Sequence, residues 1–438
     1  MLEKGMIKKM TETEKDGGDS PGSPGCVRCG QCMSVCPVYG ATLREADVAR
    51  GRLALLRWAK DHGESPVEVP GDALYRCLLC GACSDVCAAR VDTVGEFIGA
   101  RRRKFAEGGA SLKARLELAA LTRGDLAGEI LRKGGRLAAA LVSGRIADTS
   151  GLFLRFPASV LAGRDVIPAL AARSFLDSPP VGAVFSPDAK NVGFFVGCGA
   201  NHIFTDASFA LSRLGGLTGH NILAPRTQGC CGLPALASGD YETARLLARQ
   251  NVEAFSGMDI KALLTVCASC GHQVLSWPDL IGPDDPLYGK ALELARLHRD
   301  ALRFLHSETD IAARLSATKG PQLRVHYHAP CHLRFGAGAD DSPRRLLAGM
   351  PSIELVSEGV PASCCGHGGS FNAKHHDLSM EIFEPYGKKV MDAAPDFVVT
   401  GCTGCLLQFT EGVYRLKRAG KTGVLHPLVL LERLLGPS

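Results

Sequence analysis

The sequence predicts an α/β protein of three modules: an N-terminal α-helical module rich in cysteine, then two copies of a cysteine-rich α/β domain with a parallel sheet. Two observations support this prediction. All eighteen cysteines fall into metal-ligand spacings. Ten of them also repeat at a nearly constant offset, so that Cys198 corresponds to Cys331 and Cys270 to Cys405, which indicates duplication of one structural unit.

The N-terminal module carries two copies of C-x2-C-x2-C-x3-C, the spacing that holds two cubane [4Fe-4S] clusters in bacterial ferredoxins. The copies are Cys26, Cys29, Cys32, Cys36 and Cys77, Cys80, Cys83, Cys87. In that arrangement the fourth cysteine of each copy binds the other cluster. The expected ligand sets are therefore Cys26, Cys29, Cys32, Cys87 and Cys77, Cys80, Cys83, Cys36. Tetrahedral zinc is the alternative, but four cysteines in each run favour clusters.

Each C-terminal unit carries a single cysteine, a Cys-Cys-Gly turn and a C-x2-C pair. The ten cysteines are Cys198, Cys230, Cys231, Cys267, Cys270 and Cys331, Cys364, Cys365, Cys402, Cys405. Strand-like runs at 192–196, 263–266, 323–327 and 397–400 alternate with helix-period segments such as 240–255 and 376–393. This alternation predicts a parallel sheet in each unit, with five thiols converging at the carboxyl ends of the strands.

The Cys-Cys-Gly pattern resembles the repeated domain of heterodisulfide reductase subunits and of iron–sulfur subunits that serve glycolate and D-lactate oxidation. Over nearly the whole chain the layout is similar to the glycolate oxidase iron–sulfur subunit family. A further match is Arg50-Gly51-Arg52, which opens an apolar-periodic helix through Trp58. The resemblance implies two cubane [4Fe-4S] clusters and one or two further, non-cubane [4Fe-4S] clusters on the ten repeated cysteines.

The resemblance also implies a function, that of an oxidoreductase subunit. Electrons from a partner subunit, an FAD-dependent 2-hydroxy-acid dehydrogenase for glycolate or D-lactate, would pass through the clusters to a quinone or another acceptor. The alternative is a heterodisulfide-reductase-like subunit that reduces a disulfide at the non-cubane clusters. The sequence assigns no catalytic residue. A redox or iron sensor that catalyses no reaction would have the same ligands, so this alternative stays open.

We expect five segments along the chain. These are a disordered leader (1–25), a two-cluster ferredoxin-like domain (26–96), a basic helical connector (97–190) and two cysteine-rich domains (191–320 and 321–438). The stretch 97–148 holds eleven Lys or Arg against five Asp or Glu, with Arg101-Arg102-Arg103-Lys104 near its start. Two interpretations of this charge stay open. It could form a basic face that docks on an acidic partner or an anionic membrane, or it could belong to ordinary solvated helix faces.

Several classes of function are disfavoured by the sequence. No apolar stretch approaches the roughly 18 residues of a membrane-spanning helix. The leader lacks an apolar export segment, so we expect a reducing cytoplasm, with peripheral attachment to the inner membrane open. The charge comes without a nucleic-acid-binding motif. Gly197-Cys198-Gly199 has His202 where a dinucleotide fingerprint requires glycine, so hydride chemistry is expected on another polypeptide.

Six histidines lie near the cysteines: His202, His272, His326, His328, His332 and His367. One could replace a thiolate ligand, as in Rieske centres, or carry protons. His332 and His367 are the proton-carrier candidates because each lies within two residues of a predicted ligand. His326 and His328 share one face of a strand, which a polar sheet edge explains equally well.

Overall fold

The computed structural model describes residues 25–63, 72–108, 166, 170–178, 186–318, 320–336 and 341–436. The predicted leader, apart from Gly25, lies outside the described residues, and so does most of the predicted connector. Within the described part of the chain, no helix is long and apolar enough to cross a membrane.

The N-terminal module is built from short helices that begin or end at the cysteine runs. They are α1 (Gln31–Val35), α2 (Pro37–Thr42), a 3-10 turn (Glu45–Asp47), α3 (Ala49–Asp61), α4 (Ala82–Asp85) and α5 (Thr93–Gly108). Gly30 and Gly81 precede α1 and α4 with the same left-handed φ of 86°. Since glycine adopts this conformation without steric cost, each run turns from its loop into a helix in the same way.

Buried polar contacts supplement the small apolar core of this module. Arg52 donates to the carbonyls of Ala73 (2.7 Å) and Arg76 (2.9 Å), and Arg76 donates to buried Asp47 (2.8 Å). A Cβ on Gly51 would clash with the Glu45 carbonyl oxygen. The Arg-Gly-Arg sequence thus brings α3 against the preceding turn and fixes the segment between the two cysteine runs.

Two parallel four-stranded sheets follow, and they have the same topology. The first unit contains β1 (Lys190–Phe194), β2 (His220–Leu223), β3 (Leu263–Thr265) and β4 (His298–Asp300) in the order β2-β1-β3-β4. The second contains β5 (Leu323–Tyr327), β6 (Ile353–Leu355), β7 (Phe397–Val399) and β8 (Gly423–Leu425) in the order β6-β5-β7-β8. The predicted fold class and duplication are confirmed. The fourth strand of each sheet was not predicted, because it is short and lacks a long apolar run.

Helices cover both sheets and connect the strands. In the first unit they are α6 (Gly197–His202), α7 (Thr205–Leu217), α8 (Leu233–Ser238), α9 (Tyr241–Ala254), α10 (Ala268–Leu275), α11 (Trp277–Ile281), α12 (Tyr288–Leu297), α13 (Ala301–Glu308) and α14 (Ile311–Ser316). In the second they are a π-helical turn (His332–Gly336), α15 (Ser342–Ala348), α16 (Ser370–Lys374), α17 (His376–Asp392), α18 (Thr403–Arg415) and α19 (Pro427–Leu435). The predicted helices at 240–255 and 376–393 correspond to α9 and α17.

The two units pack into shared apolar cores instead of standing apart. One core joins Phe195 and Trp277 of the first unit to Phe383 and Phe409 of the second. Backbone and side-chain hydrogen bonds also cross the seam: the Ala268 amide donates to the Gly401 carbonyl (2.9 Å), and Nε2 of His426 bonds the Val266 carbonyl (2.8 Å). The carboxyl ends of β3 and β7 consequently face each other.

The N-terminal module contacts both units. Arg101 in α5 is only 2% exposed and donates to the carbonyls of Leu74 (2.6 Å), Cys77 (2.8 Å) and, in the first unit, Ala237 (2.7 Å). Leu78 packs with Phe371 of the second unit. The first residue of the basic run is therefore a structural clamp, whereas Arg102 next to it is exposed.

We expect Arg101→Met to destabilise the docked module by roughly 2–4 kcal/mol, because three buried carbonyls lose a charged donor. Thermal and denaturant unfolding of the holoprotein measure this change. Arg103→Met on the same helix is the matched control and is expected to change stability by less than about 0.5 kcal/mol. Equal destabilisation by the two substitutions would contradict the clamp.

Candidate metal centres

The eight N-terminal thiols form two groups. Cys26, Cys29, Cys32 and Cys87 line one cavity, with Cys83 in its wall. Cys36 instead interacts electrostatically with Cys77 and Cys80, and Cys83 interacts with all three of these thiols. This grouping matches the crossed arrangement expected from the sequence, in which the fourth cysteine of each run joins the other run. The assignment of ligands to clusters remains a prediction.

Several of these sulfurs already accept hydrogen bonds. Backbone amides of Tyr39, Leu79 and Val91 donate to Cys36 (3.5 Å), Cys77 (3.4 Å) and Cys87 (3.4 Å), respectively. The Thr93 hydroxyl lies 2.9 Å from Cys83. Donors aimed at sulfur stabilise thiolates and tune the potential of a bound cluster, so this environment fits iron–sulfur ligation.

In each C-terminal unit, the five thiols lie at the carboxyl edge of the sheet. Cys198 follows β1 at the start of α6, and Cys267 directly precedes α10 at the end of β3. The Cys230-Cys231 pair follows β2 and leads through Gly232 into α8. Cys331, Cys364, Cys365, Cys402 and Cys405 occupy the matching positions in the second unit. The predicted convergence of three loops is therefore present in both units.

The glycine of each Cys-Cys-Gly turn has two roles. Gly232 and Gly366 adopt φ values of 94° and 88°, and a Cβ on Gly366 would lie 2.7 Å from the Ser379 carbonyl oxygen. The turn also directs backbone N–H groups at sulfur, since Gly232 donates to Cys230 and His367 donates to Cys365. Both glycine turns thus bring backbone N–H donors to a cysteine sulfur.

The ten thiols form one continuous line of contacts across both units. In order, it runs through Cys198, Cys230, Cys231, Cys270, Cys267, Cys402, Cys405, Cys365, Cys364 and Cys331. The two units meet in this line at Cys267 and Cys402, whose sulfurs lie 3.9 Å apart. Cys364 also contacts Cys80 of the N-terminal module, so the line continues into the ferredoxin-like thiols.

The line of thiols and its continuation into the N-terminal module form one array, and the cysteines at the two ends of this array differ in exposure from those in its middle. Cys29 in the N-terminal module and Cys198 in the first unit are exposed, whereas Cys230, Cys267 and Cys365 are buried. Cys331 is half-buried where the N-terminal module covers the second unit. Among these cysteine residues, the exposed surface is therefore greatest at Cys29 and Cys198.

Hydroxyl groups from each unit contact the thiols of the other. Ser269 Oγ lies 3.3 Å from Cys402 Sγ, and Thr403 Oγ1 lies 3.3 Å from Cys267 Sγ. A Cβ on Gly199 would lie 2.7 Å from Thr403, which explains the small residue there. Sequence analysis missed both hydroxyls because the only available signal was their position between the cysteines of each C-x2-C pair.

The histidines have specific contacts. His332 stacks on His272 with ring centroids 4.9 Å apart and bonds Ser269 (2.8 Å); burial, followed by the nearby His272, lowers the pKa of His332 to about 3. His367 contacts Gln408 (3.4 Å). The proton-carrier role of His332 and His367 stays a prediction.

The sheet-edge interpretation of His326 and His328 was wrong. Strand β5, which carries His326 and leads into His328, lies between β6 and β7, and both side chains are buried. The pattern of one strand could not reveal that its neighbours flank it on both sides. Each ring instead bonds the hydroxyl of buried Tyr386.

Comparisons with known protein families agree with this thiol arrangement. The 4Fe-4S dicluster domain family matches residues 23–91, and the cysteine-rich domain family known as CCG matches residues 192–274 and 325–410. The chain therefore contains one 4Fe-4S dicluster domain and two CCG cysteine-rich domains. The dicluster match favours clusters over zinc, and the predicted resemblance to iron–sulfur proteins with CCG domains is confirmed.

Several curated proteins are similar to this chain. The probable glycolate oxidase iron-sulfur subunit of Bacillus subtilis is 29% identical over 98% of both chains. One of the subunits of the dihydromethanophenazine:CoB--CoM heterodisulfide reductase of Methanosarcina acetivorans is 25% identical over 94% of both chains. Lactate utilization protein A of Oceanobacillus iheyensis is 28% identical over 52% of this chain and 91% of its own. An iron–sulfur oxidoreductase subunit is the role that these similarities support.

We expect Gly197→Ala to impair iron binding in the first unit selectively. Gly197 has φ of 69°, and a Cβ there would lie 2.7 Å from Cys270 Sγ. Gly219→Ala is the matched control, because Gly219 has φ of 74° and no atom of the described part of the chain lies within 4 Å of the added Cβ. Both substitutions should cost about 1–2 kcal/mol of backbone strain. Only Gly197→Ala should lower iron content and alter the EPR spectrum; unchanged iron in both variants would contradict this.

Iron loading of the N-terminal module is expected to improve as pH rises from about 7 to about 9. Burial raises the pKa of Cys36 to about 11 and that of Cys83 to about 12. Both thiols are therefore protonated at neutral pH before iron binds, and ligation must displace those protons. Anaerobic reconstitution at several pH values, with proton release followed by an indicator dye, measures this. Loading that is independent of pH would contradict it.

Proposed function

We propose that the protein is the electron-transfer subunit of a dehydrogenase complex that oxidises a 2-hydroxy acid such as glycolate or D-lactate. The observation that carries the proposal is the continuous line of thiols through both C-terminal units into the N-terminal module. A protein that only stored iron or folded around zinc would not need its separate sites in sulfur-to-sulfur contact. Electron transfer does need this proximity, because its rate falls steeply with distance between redox centres.

Four clusters in a fixed order would follow from these contacts. One cubane would lie on Cys26, Cys29, Cys32 and Cys87, and the next on Cys77, Cys80, Cys83 and Cys36. The five thiols of the second unit and then the five of the first would each hold a non-cubane [4Fe-4S] cluster. Cys83 borders both cubane sites, Cys80 links to Cys364, and Cys402 links to Cys267. Each bound cluster would supply one-electron redox chemistry.

A flavoprotein partner is part of this proposal. The similarity to the Bacillus subtilis glycolate oxidase subunit supports an FAD-dependent 2-hydroxy-acid dehydrogenase that delivers electrons. The exposed ends of the array at Cys29 and Cys198 offer two positions for partners. Val27, 67% exposed beside the first cubane site, adds an apolar contact surface. A quinone or another carrier would accept electrons at the other end, with peripheral attachment to the cytoplasmic membrane face.

Reconstitution with an FAD-dependent glycolate or D-lactate dehydrogenase tests the proposal. The wild-type chain should raise the rate at which the substrate reduces a soluble quinone analogue. Cys267→Ser should lower that rate roughly tenfold or more, because it interrupts the array where the units meet. Cys29→Ser perturbs the N-terminal end of the array. In each variant, clusters on the side where electrons enter should stay reduced, so the reduced clusters identify the end that receives electrons. A wild-type chain without effect on the rate would end this proposal.

Disulfide reduction is the second candidate function. The complete five-thiol set of each unit, the exposed Cys198 and the similarity to a heterodisulfide reductase subunit favour it. An external disulfide could reach the first unit at Cys198, where thiol–disulfide exchange needs an accessible sulfur. Disulfide reduction by the chain alone, with an artificial electron donor and without a flavoprotein, would favour this function over the first.

A further inference from the structure

His328 lies at the thiols of the second unit in a position that suits a metal ligand. The residue follows β5 and is 1% exposed. Within the described ranges, one ring nitrogen of His328 and the sulfurs of Cys365 and Cys405 lie within 4.8 Å of one another. The two sulfurs are themselves 3.3 Å apart. Nδ1 of His328 lies 3.0 Å from the Tyr386 hydroxyl, whereas its buried Nε2 has no hydrogen-bond partner among the residues that the structure describes.

A hydrogen-bond relay determines which nitrogen of His328 carries the proton. The Val356 carbonyl accepts a hydrogen bond from His326, so Nε2 of neutral His326 has a lone pair. Tyr386 lies 3.1 Å from this nitrogen and donates its hydroxyl proton to it. The Tyr386 oxygen then accepts from the Nδ1–H of His328. His328 consequently has a free lone pair on Nε2, the form of imidazole that binds metals.

The first unit has no counterpart of this relay. When Cys198 is aligned with Cys331, Phe195 falls where the second unit has His328, and Gly193 falls where it has His326. Phe195 packs edge-on against Trp277, with ring centroids 5.1 Å apart. The alignment of the two Cys-Cys-Gly turns likewise places Val252 of α9 at the position of Tyr386 in α17. Duplication kept the five thiols of each unit, but only the second unit has this histidine beside them.

We propose that Nε2 of His328 is a ligand to an iron atom of the cluster in the second unit, beside Cys365 and Cys405. The proposal rests on the proposed function only in requiring a cluster at these thiols. Imidazole is neutral, so its ligation in place of one of the five thiolates assigned to this cluster would make the cluster less negative and raise its reduction potential. The hydroxyl of Tyr386 bonds the other ring nitrogen and so orients the ring, as outer partners of metal-bound histidines do. The second unit's cluster therefore has a higher potential than it would have with thiolates alone.

Pulsed EPR of the holoprotein labelled with 15N-histidine tests this ligation directly. Samples poised across a full redox titration should show one cluster with the strong nitrogen coupling of a directly bound imidazole. His328→Phe, which installs the residue found in the first unit, should abolish that coupling and lower one midpoint potential. His220→Gln is the matched control, because His220 begins β2 in the first unit, at the opposite end of the sheet from the thiols, and its substitution should preserve the coupling.

Two outcomes would overturn the proposal. One is a wild-type protein whose second-unit cluster is present by EPR but shows only weak nitrogen coupling, as from a hydrogen bond. The other is strong coupling that persists in His328→Phe. The wild-type measurement is decisive even if His328→Phe loses its cluster. Iron content and the EPR signals of the cubanes show which clusters are present. A missing second-unit cluster would contradict both this proposal and the proposed function, which distinguishes that case from the two outcomes above.

Discussion

The contact between Cys267 and Cys402, whose sulfurs lie 3.9 Å apart, is the constraint on which the remaining structure depends. Both thiols follow central strands, so their approach requires the two sheets to present their carboxyl edges to each other. That orientation explains the shared apolar cores and the hydrogen bond from Ala268 to Gly401 across the seam. The same packing excludes water from the middle of the thiol line, where Cys267 and Cys402 are buried.

Much of the fold could be predicted from the sequence because cysteine spacing and hydrophobic period are local signals. The strand at 323–327 has the predicted bounds. The helix predicted at 240–255 is one residue shorter at each end, and the helix predicted at 376–393 is one residue shorter at its C-terminal end. The duplication followed from the offset of the cysteines alone. Domain boundaries are not tested by these local matches and remain predictions.

Contacts between modules could not be predicted from the sequence. Arg101 lies in a basic run that suggested a charged surface, yet it is buried among carbonyl groups. His326 and His328 suggested a sheet edge, but β5 has a neighbour on each side. In both cases the sequence shows residue type and period, whereas burial depends on a distant segment. The continuous line of thiols likewise arises from tertiary packing, since no spacing relates Cys80 to Cys364.

The two units preserve their thiols while differing in the polar groups around them. Gln408 bonds Asn372 and Ser379, whereas the corresponding Gln273 is buried and, among the described residues, has no hydrogen-bond partner. Duplicated sites with different surroundings can have different reduction potentials, since hydrogen bonding and dielectric both act on a cluster. Sequence repeats of this kind therefore indicate equal ligand sets but not equal chemistry.

The Arg101 clamp has a consequence for how electrons would travel. Because this side chain joins the N-terminal module to the first unit while Leu78 joins it to the second, the module has no room to swing between two docking positions. Many redox chains depend on a mobile carrier domain whose diffusion limits turnover. Here the thiol line has a fixed position within one protein body. The rate of electron transfer along it would therefore be insensitive to solvent viscosity, and only electron exchange with partner molecules would be limited by diffusion.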